Sequence, residues 1–392
     1  MPVPKIRFKE FNEKWDNVKL KNLLKFKNGI NASRDSYGTG IKYISVRDIL
    51  NNTYITYDNI KGLVNIDKKT LNENAVHYGD ILFQRSSETF EDIGQANVYL
   101  DRNKIATFGG FVIRGRKISD YDPLFFNYLL KTPLSRKAII VKGAGAQHYN
   151  ISQEELEKIS LYFPTLDEQQ KIGRFLILLD KKIELQQRKI ETLKMYKRGL
   201  LNNIFNIRYN NMLRLKKLIK EKSIRNKENT VKEVYSVNNK YGFILQSEQF
   251  KDREVASEDT SNYKIVQYND FAYNPARINV GSIARMKENN KGIISPMYIC
   301  FSTKENLLPE YLEFYFDSEV FKHEMTKRLE GSVRMCLSYE SMTNIPVDLP
   351  EIEEQKRRTK VLLELDNKIE KEEIIWSEIK RLKKGLLQKM FI

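Results

Sequence analysis

Two short polar loops carry the side chains with the most chemistry to offer. Gln84-Arg85-Ser86-Ser87-Glu88 follows the apolar run Asp80-Ile81-Leu82-Phe83, and Asn274-Pro275-Ala276-Arg277-Ile278-Asn279 follows Asp270-Phe271-Ala272-Tyr273. Arg, Gln and Asn present forked donors and acceptors that match the edges of guanine and adenine in the major groove. Further along lie two basic, glycine-containing segments, Lys142-Gly143-Ala144-Gly145-Ala146-Gln147-His148-Tyr149 and Arg328-Leu329-Glu330-Gly331-Ser332-Val333-Arg334. Glycine in such a loop lets the backbone come close to a phosphate or a base. The candidate DNA contacts are therefore Gln84, Arg85, Ser86, Lys142, Gln147, His148, Tyr149, Asn274, Arg277, Asn279, Arg328 and Arg334. Taken singly, each is more often a solvated surface residue or one that bonds its own turn. Their placement in pairs is what raises them above that background.

Residues able to make or break bonds do not assemble in the same way. Asn274-Pro275-Ala276-Arg277 is close to the Asn/Asp-Pro-Pro-aromatic motif of amino-methyltransferases, but lacks the second proline and the aromatic that would stack on the target base. No Gly-x-x-x-x-Gly-Lys-Ser/Thr loop is present, nor a glycine-rich turn between strand and helix that would hold a nucleotide. No set of carboxylates with a following lysine stands out as a nuclease core. His148 has Lys142 nearby in sequence but no nucleophile arranged around it. Cys300 and Cys336 stand alone, and His77, His148 and His323 are scattered, so neither a zinc site nor a disulfide framework is expected. The expectation is a chain with no catalytic residues, no metal and no cofactor of its own, in a reducing cytoplasm.

The elements that position these loops come from an internal repeat. Phe163 to Phe205 overlays Leu349 to Phe391 without gaps, at a shift of about 186 residues, with roughly 15 of some 43 positions identical. Pro164 meets Pro350, Glu168-Gln169 meets Glu354-Gln355, Leu179-Asp180 meets Leu365-Asp366, and Gly199-Leu200-Leu201 meets Gly385-Leu386-Leu387. Upstream, Gly145, Ser152 and Ile159 match Gly331, Ser338 and Ile345, and the segment from Val18 to Leu23 echoes that from Leu213 to Leu218.

Within each repeated segment apolar residues alternate at four-three spacing, the seam of a coiled coil. Leu176, Leu179, Ile183, Ile190 and Leu193 define it in the first copy, and Leu362, Leu365, Ile369, Trp376 and Ile379 in the second. Pro164 and Pro350 stand before each helix, where proline is tolerated. Each helix is expected to run about 35 to 40 residues, or 55 to 60 Å. A stripe that long must be buried, and the other copy offers the matching surface, the alternative being that each helix packs on its own domain. Lys197 and Lys383, at seam positions, should reach solvent or a carboxylate. Gly199 and Gly385 either admit close approach of another chain or mark a bend near the helix end.

The sequence thus divides into a first variable domain (1–163), a first helix (164–206), a second variable domain (207–349) and a second helix (350–392). Each variable domain mixes β-rich runs (41–46, 80–83, 111–114, 264–267, 296–301) with helical stretches (121–131, 308–329). The expected fold class is α+β. Two similar globular domains are separated by two long helices that form an antiparallel intramolecular coiled coil, with a pseudo-twofold relating the copies.

Length and composition agree with this division. The chain has 392 residues, with 41% apolar and 11% aromatic residues, enough to bury more than one core. Lys and Arg number 67 against 51 Asp and Glu, a net charge of +16 that favours a polyanionic partner. The longest strongly apolar run, Phe175 to Leu179, is far short of the roughly 20 residues of a membrane span, and the start, MPVPKIRFKEF, is no signal peptide.

A layout of variable domain, Pro-x-x-x-Glu-Gln helix, variable domain and Pro-x-x-x-Glu-Gln helix resembles the specificity subunit of type I restriction-modification systems. Pro164, Glu168-Gln169, Leu178-Leu179-Asp180, Lys182-Ile183 and Lys197-Arg198-Gly199-Leu200-Leu201 carry the likeness with their second-copy partners, and the opening Pro4-Lys5-Ile6-Arg7-Phe8 through Trp15 and Leu20 adds to it. The resemblance implies two target-recognition domains that read the halves of a split site in double-stranded DNA, and helices that act as spacer and docking site. It further implies two methylation subunits that modify adenine with S-adenosylmethionine, and restriction subunits that use ATP and magnesium, so that those cofactors sit on partners. In the second helix Arg358 and Lys360 replace Ile172 and Arg174, which predicts unequal docking surfaces. The competing expectations are a tandem-domain DNA-binding regulator or scaffold with no methylation partner, and an autonomous methyltransferase or nuclease.

Overall fold

The structure, a computed structural model, describes residues 3–145, 148–249, 259–331 and 335–392. The chain forms two compact units, one of Met1–Gln187 with Ile374–Ile392 and one of Arg188–Glu373. Each long helix therefore changes unit partway along its length. A unit owns the leading half of the helix that follows its own variable domain and the trailing half of the other.

In the first unit an antiparallel sheet has the order Leu24–Asn28, Val112–Lys117, Ile81–Gln84, Ala96–Val98. Successive side chains of a strand point to opposite faces. Ile81 and Phe83 accordingly join the core built with Phe125, Phe126 and Leu129 of the helix Pro123–Leu130, while Leu82 enters a second core with Ile44 and Phe108. Both faces being covered explains why this run is continuously apolar. The second core belongs to a smaller sheet of Gly62–Val64, Tyr37–Ile44 and Thr107–Phe108, the last two parallel.

The second unit repeats this arrangement. Its main sheet has the order Ile219–Lys222, Ile299–Thr303, Phe271–Tyr273, Ile283–Arg285. Phe271 and Tyr273 face one core, and Ala272 faces the other. The smaller sheet again holds a parallel pair, Val234–Asn238 with Gly292–Ile294. The echo at the start of each variable region is also explained, because Asp16–Lys19 pairs with Ser160–Phe163 and Met212–Arg214 with Pro346–Asp348.

Several expected elements shift at their ends. The stretch expected to be helical over 308–329 is two helices, Pro309–Asp317 and Glu319–Thr326, because Ser318 caps the second by accepting the Phe321 N–H. The strand expected from 296 begins at Ile299, since the Tyr298 N–H closes a turn on the Ser295 carbonyl. Val46, expected at the end of a strand, starts the helix Val46–Asn51, held by a capping box between Ser45 and Asp48.

The long helices are Leu166–Asn206 (41 residues) and Ile352–Lys389 (38 residues). Of the seam residues, Leu176, Ile190, Leu362, Leu365, Ile369 and Ile379 are buried, and Leu179, Ile183, Leu193 and Trp376 half-buried. In the first unit Ile172 and Leu176 pack with Met390 and Phe391, and Lys383 pairs with Asp180. In the second, Lys189 pairs with Glu372, Lys197 with Asp366 at 2.6 Å, and the Arg358 guanidinium donates to the Ile204 carbonyl. In each unit one number rises as the other falls, so the helix segments run antiparallel there. Both seam lysines reach a carboxylate, and each also lies over an aromatic ring, Lys383 over Tyr128 at 5.3 Å and Lys197 over Phe314 at 5.2 Å.

The Glu-Gln motif has a structural reason. Gln169 donates to the Pro164 carbonyl and accepts from the Asp122 N–H, and Gln355 donates to the Pro350 carbonyl and accepts from the Leu308 N–H. Each amide thus ties the start of a long helix to the start of a domain helix, at Pro123 or Pro309. Gln169→Ala or Gln355→Ala would leave a buried carbonyl and an N–H unbonded, and should cost about 1–3 kcal/mol each in chemical denaturation. The neighbouring glutamate finds arginine by two routes. Glu168, fully buried, takes a bidentate pair from Arg7 at 2.7 and 2.8 Å, whereas Glu354 is held by Arg357 and Arg358 of its own helix.

Candidate nucleic-acid interface

The two loops singled out in the first variable domain are brought together. Ser86–Ser87 pairs antiparallel with Tyr149–Asn150, the Ile151 N–H donates to the Arg85 carbonyl, and Ser86 Oγ donates to Asn150 Oδ1 at 2.5 Å. The second loop is pinned on itself by the bridge of Ala144 with Asn150. Gly145 makes this possible at φ 143°, where an added Cβ would sit 2.0 Å from the His148 carbonyl oxygen.

Arg85, Lys142, Asn28 and Asn150 line one cleft of about 380 Å³, together with Glu154 and Glu155. Lys142 lies 3.6 Å from Glu155, whose carboxyl is held below the usual range by its bond to Lys158 and more weakly by Lys142. His148 is exposed, and Tyr149 sets its ring edge-on to Phe90 at 5.2 Å. Gln84 is buried and donates to the Ser86 carbonyl, so its amide shapes the turn from inside.

The second unit builds the equivalent place. Phe83 pairs with Ile113 in one sheet and Tyr273 with Ile299 in the other, which sets Gln84 against Asn274 and Arg85 against Pro275. The Leu337 N–H donates to the Pro275 carbonyl, Glu330 bridges Cys336, and Gly331 has φ 109°. These are the counterparts of Ile151 on Arg85, Ala144 with Asn150, and Gly145. Asn274 is buried like Gln84 and accepts the Ala276 N–H. Arg277 and Asn279 are exposed, whereas Arg328 is held by Glu324 at 2.7 Å. Gln147 and Arg334 lie outside the described residues.

The structure adds Asn28 and Asn150 to the first cleft, and neither had a signal in its local sequence. Asn28 belongs to a strand about 57 residues before Arg85 and meets it only through the sheet. What the paired loops offer is donors at the end of a rigid sheet: guanidinium, ammonium, amide and hydroxyl groups. Among the described residues no group of three or more His, Cys, Asp or Glu is placed to hold a metal ion, and no helix is long and apolar enough to cross a membrane.

Two copies of one α+β unit that present equivalent polar loops are the form of a protein with two like binding surfaces. The type I restriction modification DNA specificity domain matches this chain twice, over residues 12–195 and 200–381, and the chain belongs to that family. The MjaVIII type I restriction enzyme specificity subunit of Methanocaldococcus jannaschii is 22% identical, with 96% of this chain and 91% of that protein covered. Two solved structures share the fold. The type I restriction-modification S subunit from M. genitalium has a TM-score of 0.60 at 15% identity, covering 100% of this chain and 99% of its own. The HsdS subunit from Thermoanaerobacter tengcongensis has a TM-score of 0.52 at 14% identity, covering 96% of each. The chain is a specificity subunit that recognises DNA, and the regulator or scaffold reading is not favoured.

Proposed function

We propose that each variable domain reads one half of a bipartite DNA target, and that the chain works without catalytic groups of its own. The observation that carries this is the equivalence of the paired loops in the two units, Ile151 on Arg85 and Leu337 on Pro275, each inside its own match to the specificity domain. Arg85 in the first unit, and Arg277 with Asn279 in the second, are the base-reading candidates left in reach of a ligand. Lys142, Ser86, His148 and Tyr149 flank Arg85 and serve the same half-site.

The long helices set the spacing of the half-sites and dock two methylation subunits, which carry S-adenosylmethionine. Restriction subunits with ATP and magnesium complete the complex in the cytoplasm. Exposed apolar side chains support the docking role: Leu178, Leu185, Met195 and Tyr196 on the first helix, and Val361, Ile374, Ile375 and Leu382 on the second. At Gly199 and Gly385 an added Cβ would meet nothing of this chain, so their small size serves no packing within it. Arg358 is buried like Ile172 in the first copy, but as a cation bonded to Glu354 and to the Ile204 carbonyl, which distinguishes the two helix starts.

Expression with a methylation subunit tests the assembly. Two methylation subunits should purify with each chain, and mapping of methylated adenines should return a split sequence. A chain that purifies alone and directs no methylation would overturn the reading. Arg85→Ala and Arg277→Ala should each relax one base position, by about 1–3 kcal/mol, in different half-sites. An even loss over all sequences with a shallower salt dependence would make them phosphate contacts instead.

A further inference from the structure

Beside each recognition loop stands a large apolar side chain that is mostly exposed. In the first unit Gly109, Gly110, Phe111 and Val112 form a tight turn, closed by the Val112 N–H on the Gly109 carbonyl at 2.8 Å, and Phe111 is 68% exposed. In the second unit Ser295, Pro296, Met297 and Tyr298 form a turn closed in the same way at 3.1 Å, and Met297 is 59% exposed. The turns are equivalent by topology. Each leaves the parallel strand of the small sheet, Thr107–Phe108 or Gly292–Ile294, and enters the main sheet, at Val112–Lys117 or Ile299–Thr303.

The first turn is fixed to the base-reading candidate itself. The Arg85 N–H donates to the Phe111 carbonyl at 2.9 Å, and its guanidinium reaches the Gly110 carbonyl at 3.3 Å. In the second unit Pro275 takes the place of Arg85 and has no N–H to give. Neither glycine of this turn has room for a side chain. A Cβ at Gly109 would lie 2.1 Å from Tyr43 Oη, and one at Gly110 would lie 1.9 Å from Asn31 Oδ1.

Single exposed apolar residues are common and need no explanation. Here the turn sequences differ completely, Gly-Gly-Phe-Val against Ser-Pro-Met-Tyr, yet the third residue of both is large, apolar and turned to solvent next to the loops that read DNA. Phe and Met are side chains that contact thymine methyl groups or wedge between base steps. We propose that Phe111 and Met297 are specificity-determining base contacts, one for each half of the target. The proposal rests on the half-site reading above.

The test uses the full chain with its methylation subunits and maps methylated adenines for wild type, Phe111→Ala, Met297→Ala, and the conservative Phe111→Leu and Met297→Leu. Phe111→Ala should lower discrimination about tenfold at one or two base pairs of one half-site, and Met297→Ala should do so in the other half only. The leucine variants should keep most of the preference. Unchanged preferences in both alanine variants, or an equal loss over all sequences, would overturn the proposal while leaving the half-site reading intact. A wild-type complex with no split target would defeat that reading, and the proposal with it.

Discussion

Removal of residues 374–392 should unfold the first unit and spare the second, although those residues continue directly from the second. The segment contributes Met390 and Phe391 to the first unit's core, where Phe391 stacks on Phe125 at 5.4 Å and meets the edge of Trp15 at 6.4 Å. It also supplies the Lys389 carbonyl that accepts the Ile6 N–H, and Lys383, the partner of Asp180. Loss of a buried Phe alone costs about 3–5 kcal/mol. With Met390, Ile379 and the Asp180 pair also lost, the total exceeds about 6 kcal/mol, against a stability of about 5–15 kcal/mol for an ordinary domain. Hydrogen exchange on the truncated chain should show protection lost across residues 3–145 and kept across 259–331. The reverse pattern, with the second unit opening first, would show that the trailing half of the second helix does not belong to the first unit.

The second large effect is expected at the seam. Leu176 and Leu362 are equivalent positions, 0% and 1% exposed. Leu176 packs in the first unit's main core, and Leu362 packs with Leu201, Ile204 and Phe314 in the second. Leu176→Ala and Leu362→Ala should each cost about 2–5 kcal/mol, the spread reflecting how far neighbours can close the cavity. Leu178→Ala, two residues from Leu176 but exposed, should change stability by no more than about 0.5 kcal/mol. Its effect is expected on co-purification of the methylation subunits. Denaturation curves for the three variants, with the yield of partner for each, separate the buried face of the helix from the docking face. A stability loss at Leu178 equal to that at Leu176 would refute the seam assignment.

Much of the architecture is legible in the residues because helices and repeats are local. The four-three spacing from Leu176 to Leu193 and from Leu362 to Ile379 requires nothing beyond a 3.6-residue turn and a face to bury. The overlay of Pro164-to-Phe205-type segments gives the duplication directly, and Gly145 with Gly331 marks backbone that only glycine adopts readily. The runs 80–83 and 270–273 read as strands because both of their faces meet apolar cores. The break at Ser318 was less legible, since a capping serine inside an apolar stretch looks like one more polar position on a helix.

The candidate contacts were harder to read, and the reason is which way a side chain points. Gln84 and Asn274 have the right chemistry for adenine, but their place at the end of a main-sheet strand turns them inward to bond their own loops. Arg328 is occupied by Glu324, one helical turn earlier. Phe111 and Met297 fall in runs that read in the sequence as β-rich, 111–114 and 296–301, and only the turns before the strands put them in solvent.

The duplication, the long helices with their seam, and the two loop pairs can be read from the residues alone, because each is written in short-range spacing or in self-similarity. That Arg85, Lys142, Asn28 and Asn150 share a cleft, and that residues 374–392 complete the first unit, follows from the folded chain alone. Those depend on contacts between residues far apart in the chain, and composition and periodicity carry no record of which distant neighbour a side chain meets.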